Sequence, residues 1–163
     1  PVPGADGDNV YIAQDVVDGK YTFSGKKIIV IGAGVTGLET AEMLSADNDV
    51  TVVEQTANFG EPLYPSVKAY LRKVLTENGA KIMNLQGLTE IQPGKVILRH
   101  SVTAFKTELE ADVVVFAAGV RPNKAMADEF YAVFDKVTTV GDASKPGLIG
   151  DALREANSKA YVF

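Results

Sequence analysis

The sequence has no cysteine, a single histidine and no long apolar run. Without cysteine there is no disulfide framework, no Cys-x-x-Cys redox centre and no thiolate-held zinc or iron–sulfur cluster within these residues. The lone histidine, His100, has no cysteine or acidic partner nearby in sequence, so it reads as a strand or surface residue rather than a catalytic one. No apolar stretch approaches the ~20 residues that a membrane-spanning helix needs, and no secretory signal pattern is present. Basic clusters are equally scarce. The longest are Lys26-Lys27 and Arg72-Lys73, against a net charge of −5, which argues against nucleic-acid or anionic-membrane partners. The lack of cysteine is compatible with a reducing cytoplasm, and a cytoplasmic location is the expectation.

What is present is an ordinary globular composition. With 163 residues, 46% of them hydrophobic, the chain is long enough for one α/β domain with a real core, or one domain plus a fragment. It opens on PVPGADGDNV without an initiator Met. That start resembles a linker, and the chain is expected to be a piece of a longer protein.

The centre of the sequence is Lys26 to Glu54, KKIIVIGAGVTGLETAEMLSADNDVTVVE. Lys26 to Ile31 reads as a buried strand from its β-branched content. Gly32, Gly34 and Gly37 follow at once as G-x-G-x-x-G, and Leu38 to Leu44 is expected to be helical. Asp49 to Val53 is a second apolar strand ending on Glu54, 22 residues after Gly32. Strand, glycine turn, helix, strand and acid in this order form a dinucleotide-binding fingerprint. Gly32 permits the tight turn, Gly34 lets a diphosphate approach the backbone, and Gly37 lets the helix pack on the strand. The N–H groups opening the helix, from Val35 and Thr36 onward, with the helix dipole, hold the diphosphate. Glu54 accepts hydrogen bonds from a ribose diol and repels a 2′-phosphate. No Arg or Lys lies between Glu54 and Val67, so the pattern favours NAD(H) over NADP(H). The competing reading is a glycine turn of some other α/β domain with a surface glutamate.

Around this unit the remaining elements fall in order. Asn9 to Ala13 is a short strand and Gln14 to Gly19 a turn or short helix. Gln55 to Pro65 is a loop in which Gln55 and Thr56 are placed to touch an adenosine; Phe59 and Tyr64 either line a cleft or fold back on the core. Ser66 is the expected N-cap of a helix over Val67 to Asn78, and Ala80 to Leu85 a third parallel strand. Leu88 to Gln92, Lys95 to His100 and Thr103 to Leu109 read as an antiparallel meander, with Pro93-Gly94 as a turn. Ala111 to Ala118 is the most apolar strand and is expected at the sheet centre. Lys124 to Phe130 is a short helix, Val137 to Val140 a final short strand, and Leu148 to Ala160 a closing helix. The fold class is α/β: a three-layer Rossmann-like domain with a parallel sheet and a small antiparallel meander.

The order of these motifs resembles a family. Gly32 to Glu39 (GxGxxGxE), Glu54, Asp112 to Gly119 followed by Arg121-Pro122-Asn123, and Val140-Gly141-Asp142-Ala143 are together similar to the two-dinucleotide-binding flavoprotein reductases. The tail, Gly141 to Pro146 with Ile149-Gly150-Asp151-Ala152, resembles the C-terminal end of the old-yellow-enzyme-like NADH:flavin oxidoreductases of the 2,4-dienoyl-CoA reductase and 2-enoate reductase type. The resemblance covers nearly all of the chain. It implies a parent with an FMN-containing barrel, an iron–sulfur cluster, an FAD domain and an NAD(P)H domain inserted in the FAD domain. Residues 1–24 would then be a linker and crossover from an FAD domain, 25–134 the NAD(H)-binding domain and 135–163 the C-terminal segment of the FAD domain. There is no second G-x-G-x-x-G, so the adenosine half of an FAD site is absent here, and FMN and the cluster belong outside this chain.

By matching position, the resemblance assigns Gly32, Gly34 and Gly37 to the NADH diphosphate and Glu54 to the adenosine ribose. It places Glu39 near the nicotinamide, Gly119 in the cofactor cleft, and Gly141 and Asp142 at the ribityl chain of FAD. Glu39 could equally be a solvent-facing helix carboxylate, and Asp142 a loop-starting residue after a glycine turn. The function expected from all this is an electron-entry module that takes NADH and delivers hydride to FAD, for reduction of an enoyl or enoate-type substrate elsewhere in the parent. Its partners are NADH and the FAD and barrel domains, and the isolated chain is expected to be inactive as a reductase. The alternatives are a nucleotide-sensing NAD(H) module and the FAD-binding half of another flavoprotein.

Overall fold

The computed structural model describes residues 2–61, 63–119 and 121–161. Pro1 in the expected linker, Pro62 in the loop after Glu54 and Val120 in the motif after Gly119 lie outside them. The chain divides into two compact units, Pro1–Ala118 and Gly119–Phe163.

The first unit has three layers. Its strands are β1 (Val10–Ile12), β2 (Lys27–Ile31), β3 (Asp49–Val53), β4 (Lys81–Met83), β5 (Gln86–Gln92), β6 (Lys95–His100), β7 (Lys106–Glu110) and β8 (Val113–Phe116), and its helices are α1 (Ala13–Val17), α2 (Val35–Ser45) and α3 (Pro65–Glu77). Five strands form a parallel sheet in the order β1-β8-β2-β3-β4, and β5-β6-β7 form a separate antiparallel sheet. The α/β architecture expected from the sequence is the one observed.

Alternation along the strands builds the layers. Ile28 and Val30 of β2, Val50 and Val52 of β3, and Val113 and Val115 of β8 face α1, α2 and α3, meeting Val16, Leu38, Ala41, Leu71 and Leu75. Ile29, Ile31, Val53 and Val114 point the other way, against Ile91, Val96 and Leu98 of the meander. Both faces of the sheet are covered, which is why its strands read as continuous apolar runs rather than alternating ones. Each of the buried valine, leucine and isoleucine side chains contributes about 1.5–3 kcal/mol.

Four expectations change. Ala111 to Ala118 is interior but not central: β8 lies between β1 and β2, and β2 takes the middle. The third strand stops at Met83, because Leu85 adopts φ +58 and turns the chain into β5. A left-handed residue cannot continue a strand. The helix over α3 starts earlier than expected, with Tyr64 as N-cap and Pro65 in its first turn; proline suits that position, where its missing N–H would have no helical partner. Val137 to Val140 forms no strand. Its backbone is extended at Val140, but the described part of the second unit supplies no strand to pair with it.

The second unit contains α4 (Lys124–Val133), a 3₁₀ turn at Gly141–Ala143 and α5 (Ile149–Ala160). The Asn123 side chain caps α4 by accepting the N–H of Met126 at 3.2 Å. Ala152 of α5 packs against Gly141, whose φ of +58 and proximity to that helix (an added Cβ would stand 2.9 Å from the Ala152 Cβ) both require glycine.

Candidate dinucleotide site

β2, β3 and β8 end level with one another, since Ile31 pairs with both Val53 and Phe116. From β2 the chain crosses through α2 to β3 on one side; β8 later arrives on the other. The strand order therefore reverses between β2 and β8, and the crevice at the carboxyl ends there is where open parallel sheets take ligands. The glycine turn leaves β2 at this point.

The three glycines differ in what surrounds them. Gly32 has φ +104 and sits against the Ala117 carbonyl, 3.1 Å from an added Cβ; its own N–H donates to Val53 O at 2.8 Å. Gly37 is in the closest contact of all: an added Cβ would lie 1.9 Å from the carbonyl oxygen of Gly32. Gly34 is the opposite case: among the described residues, no heavy atom lies within 4 Å of an added Cβ. It is the N-cap of α2, and no side chain caps the helix. Two glycines are thus filled in by protein and one faces open space at a helix N-terminus, the arrangement that admits a diphosphate to backbone N–H groups. Val35 and Thr36 open the helix beside it. Glu39, one turn on, is exposed.

Glu54 joins this turn. Its Oε2 accepts the backbone N–H of Ala33 at 3.0 Å, and its Oε1 accepts both the N–H and the hydroxyl of Thr56 at 2.8 Å. Partial burial pushes the Glu54 carboxyl upward, but the N–H groups of Ala33 and Thr56, the Thr56 hydroxyl and the Gln55 backbone outweigh it and hold the group below the ordinary carboxylate range. Glu54 is therefore ionised at neutral pH beside the glycine turn.

The loop after Glu54 is braced by the meander. The N–H of Glu54 donates to Met83 O, and its carbonyl accepts from Gln86 N–H; Thr56 O accepts from Leu85 N–H, and Gln55 O from the Ser101 hydroxyl. Gly60 N–H closes the far end onto the Ala33 carbonyl. Gln55 itself is exposed. Phe59 folds back on the core beneath Lys68, whose Nζ lies 4.6 Å from the ring centroid, while Tyr64 is 72% exposed. His100 has a structural job: its Nδ1 accepts the N–H groups of Val102 and Thr103 in the β6–β7 turn.

Gly119 opens the second unit at φ +79 with nothing within 4 Å of an added Cβ. Within that unit Gly141 N–H donates to Glu155 at 2.9 Å, and Asp142 accepts Gly147 N–H at 3.2 Å. Lys159, followed by the Ser144 hydroxyl and Gly141 N–H, pulls the Glu155 carboxyl down to about 2.

Residues 1–138 match the profile of the pyridine nucleotide-disulphide oxidoreductases. The chain belongs to this family. Among curated relatives, a metal reductase from Desulforamulus reducens is 25% identical across 100% of this chain and 28% of its own length. An NADH oxidase from Methanocaldococcus jannaschii is 33% identical over 78% of this chain and 30% of its own. The chain thus spans less than a third of either protein. Of solved structures, a 2-naphthoyl-CoA reductase superposes with a TM-score of 0.80 over 94% of this chain and 23% of that one, at 24% identity, a likeness of fold. The family's name includes a disulphide; this chain has no cysteine to supply one.

Two contributions to the site went unread in the sequence. Ala33 is only a spacer in G-x-G, yet its N–H and carbonyl fasten Glu54 and Gly60. Thr56, expected to touch an adenosine, also bonds Glu54 through its hydroxyl. A hydroxyl two residues after the acid was the available signal.

Proposed function

We propose that this chain is the NADH-binding module of a multi-domain flavin oxidoreductase of the old-yellow-enzyme-like type. One observation carries the reading: an uncapped helix N-terminus with open space over Gly34 stands beside an ionised glutamate bonded to the same turn. The open Cβ position leaves room for a diphosphate, and the carboxylate suits a ribose diol while repelling a 2′-phosphate. NADH, when bound, supplies hydride. The chain's own work is to bind and orient: Gly34, Val35 and Thr36 present N–H groups to the diphosphate, Glu54 accepts ribose hydroxyls, Gln55 borders the adenosine, and Glu39 is assigned to the nicotinamide end.

The residues present do not fit FAD by themselves. Gly141 N–H is already donated to Glu155, Asp142 accepts within its own loop, and the sequence has no second glycine fingerprint. In this reading residues 25–134 bind NAD(H), 1–24 link to an FAD domain while lending β1 and α1 to the sheet and core of the first unit, and 135–163 complete the FAD domain; the compact units themselves divide at Ala118–Gly119. Ile149 and Leu153 of α5 leave an apolar face open, at 82% and 66% exposure, which suits a segment that finishes a larger domain. The family profile ends at residue 138, near the 134/135 border of this reading, while a curated relative matches 100% of this chain. The parent would reduce an enoyl or enoate-type substrate, with FMN and an iron–sulfur cluster outside this chain.

The test is to purify the chain, follow nicotinamide fluorescence as NADH is added, and assay dye reduction without added flavin. Saturable binding with a colourless, inactive protein is expected. Flavin colour in the purified protein, or dye turnover without flavin, would overturn the assignment.

A further inference from the structure

The hydroxyl oxygen of Thr56 lies 2.8 Å from Glu54 Oε1 and also 2.8 Å from the carbonyl oxygen of Asn58. A hydroxyl carries one proton, so it donates to one of these at a time. A carboxylate offers about four lone-pair sites. Two of Glu54's are held by backbone N–H groups, Thr56 on Oε1 and Ala33 on Oε2. With the Thr56 proton on Glu54, a single site is left, on Oε2.

The surrounding frame holds both residues in place. Glu54 is fixed through its own N–H and carbonyl by Met83 and Gln86, and Thr56 through its carbonyl by Leu85, itself locked in a left-handed turn. We infer that Thr56 is a positioning and specificity residue: its hydroxyl and N–H hold Glu54 Oε1, which aims the carboxylate at the glycine turn and presents Oε2 to an adenosine ribose diol. This rests on the NADH reading given above.

The test titrates the intact chain and its Thr56→Ser and Thr56→Val variants with NADH, NADPH and reduced nicotinamide mononucleotide, which lacks the adenosine. Thr56→Val is expected to raise the Kd for NADH roughly tenfold, the scale of a lost hydrogen bond to a charged group. Thr56→Ser should bind within about twofold of the parent chain. The NADH-to-NADPH preference should fall in Thr56→Val alone, and mononucleotide binding should not change. A parent chain that binds NADH together with an equally competent Thr56→Val overturns the role of Thr56 and leaves the NADH reading standing. So does a Thr56→Ser variant as weak as Thr56→Val. A parent chain that binds no NADH overturns both.

Discussion

The backbone N–H of Ala33 donates to the carboxylate of Glu54 at 3.0 Å. That bond joins the two halves of the nucleotide fingerprint, the glycine turn after β2 and the acid after β3, before any ligand is present. Replacing Glu54 therefore has two separate consequences. Glu54→Ala removes the acceptor of three donors, and urea unfolding should show a loss of about 1–2 kcal/mol, the lower part of the range for charge-assisted bonds because the site is partly open to water. An unchanged midpoint would show that the bonds to Ala33 and Thr56 are replaced by water at no cost.

Gly34 and Gly37 should separate binding from folding. An alanine methyl at Gly37 would stand 1.9 Å from the Gly32 carbonyl oxygen, so the α2 packing must shift, and Gly37→Ala should destabilise the chain by about 3 kcal/mol. Gly34→Ala meets nothing within 4 Å. Its stability should stay within about 1 kcal/mol of the parent chain, while its NADH affinity falls. Thermal melts paired with NADH titration of both variants check this; the reverse pattern would mean that the open space over Gly34 is not where a ligand sits.

Glu155 makes the second unit sensitive to acid. Its carboxyl is lowered from 4.5 to about 2, first by Lys159 and then by Ser144 and Gly141. A depressed carboxylate stabilises the fold above its unfolded value, and that contribution fades as pH falls toward the folded value. Relative to the parent chain, Glu155→Gln should therefore weaken amide-exchange protection of Gly141 fully above about pH 4.5. The difference should shrink between pH 4.5 and 2. A difference that does not change with pH would mean the Lys159 and Ser144 contacts are not made in solution.

How much of this was legible depends on the range of the forces involved. β3 was readable to the residue, because Val50 to Val53 is a β-branched run between Asp49 and Glu54, and β6 likewise from the Val96 to Leu98 run between Lys95 and Arg99. The glycine roles were readable because each follows from a missing Cβ. Ser66 misled: a serine before an apolar stripe looks like a cap, but Pro65 already belonged to the helix. Val137 to Val140 misled because strand-like residues without a neighbouring strand stay unpaired, and neighbours are set by the whole fold. The same limit hid Leu85, whose left-handed turn is imposed by its place between two sheets. Ala33 was invisible for a simpler reason. Its bond to Glu54 exists only once β2 and β3 lie side by side, whereas the bonds of Thr56 are local and its hydroxyl, two residues after the acid, was the signal.

The most direct measurement is the ratio of Kd values for NADPH and NADH in the parent chain and in Glu54→Ala. An ionised Glu54 set to receive a ribose diol predicts NADH binding tighter than NADPH by at least tenfold, a difference of about 1.4 kcal/mol. Loss of most of that preference is predicted when the carboxylate is removed. NADPH binding as tight as NADH in the parent chain would contradict the account.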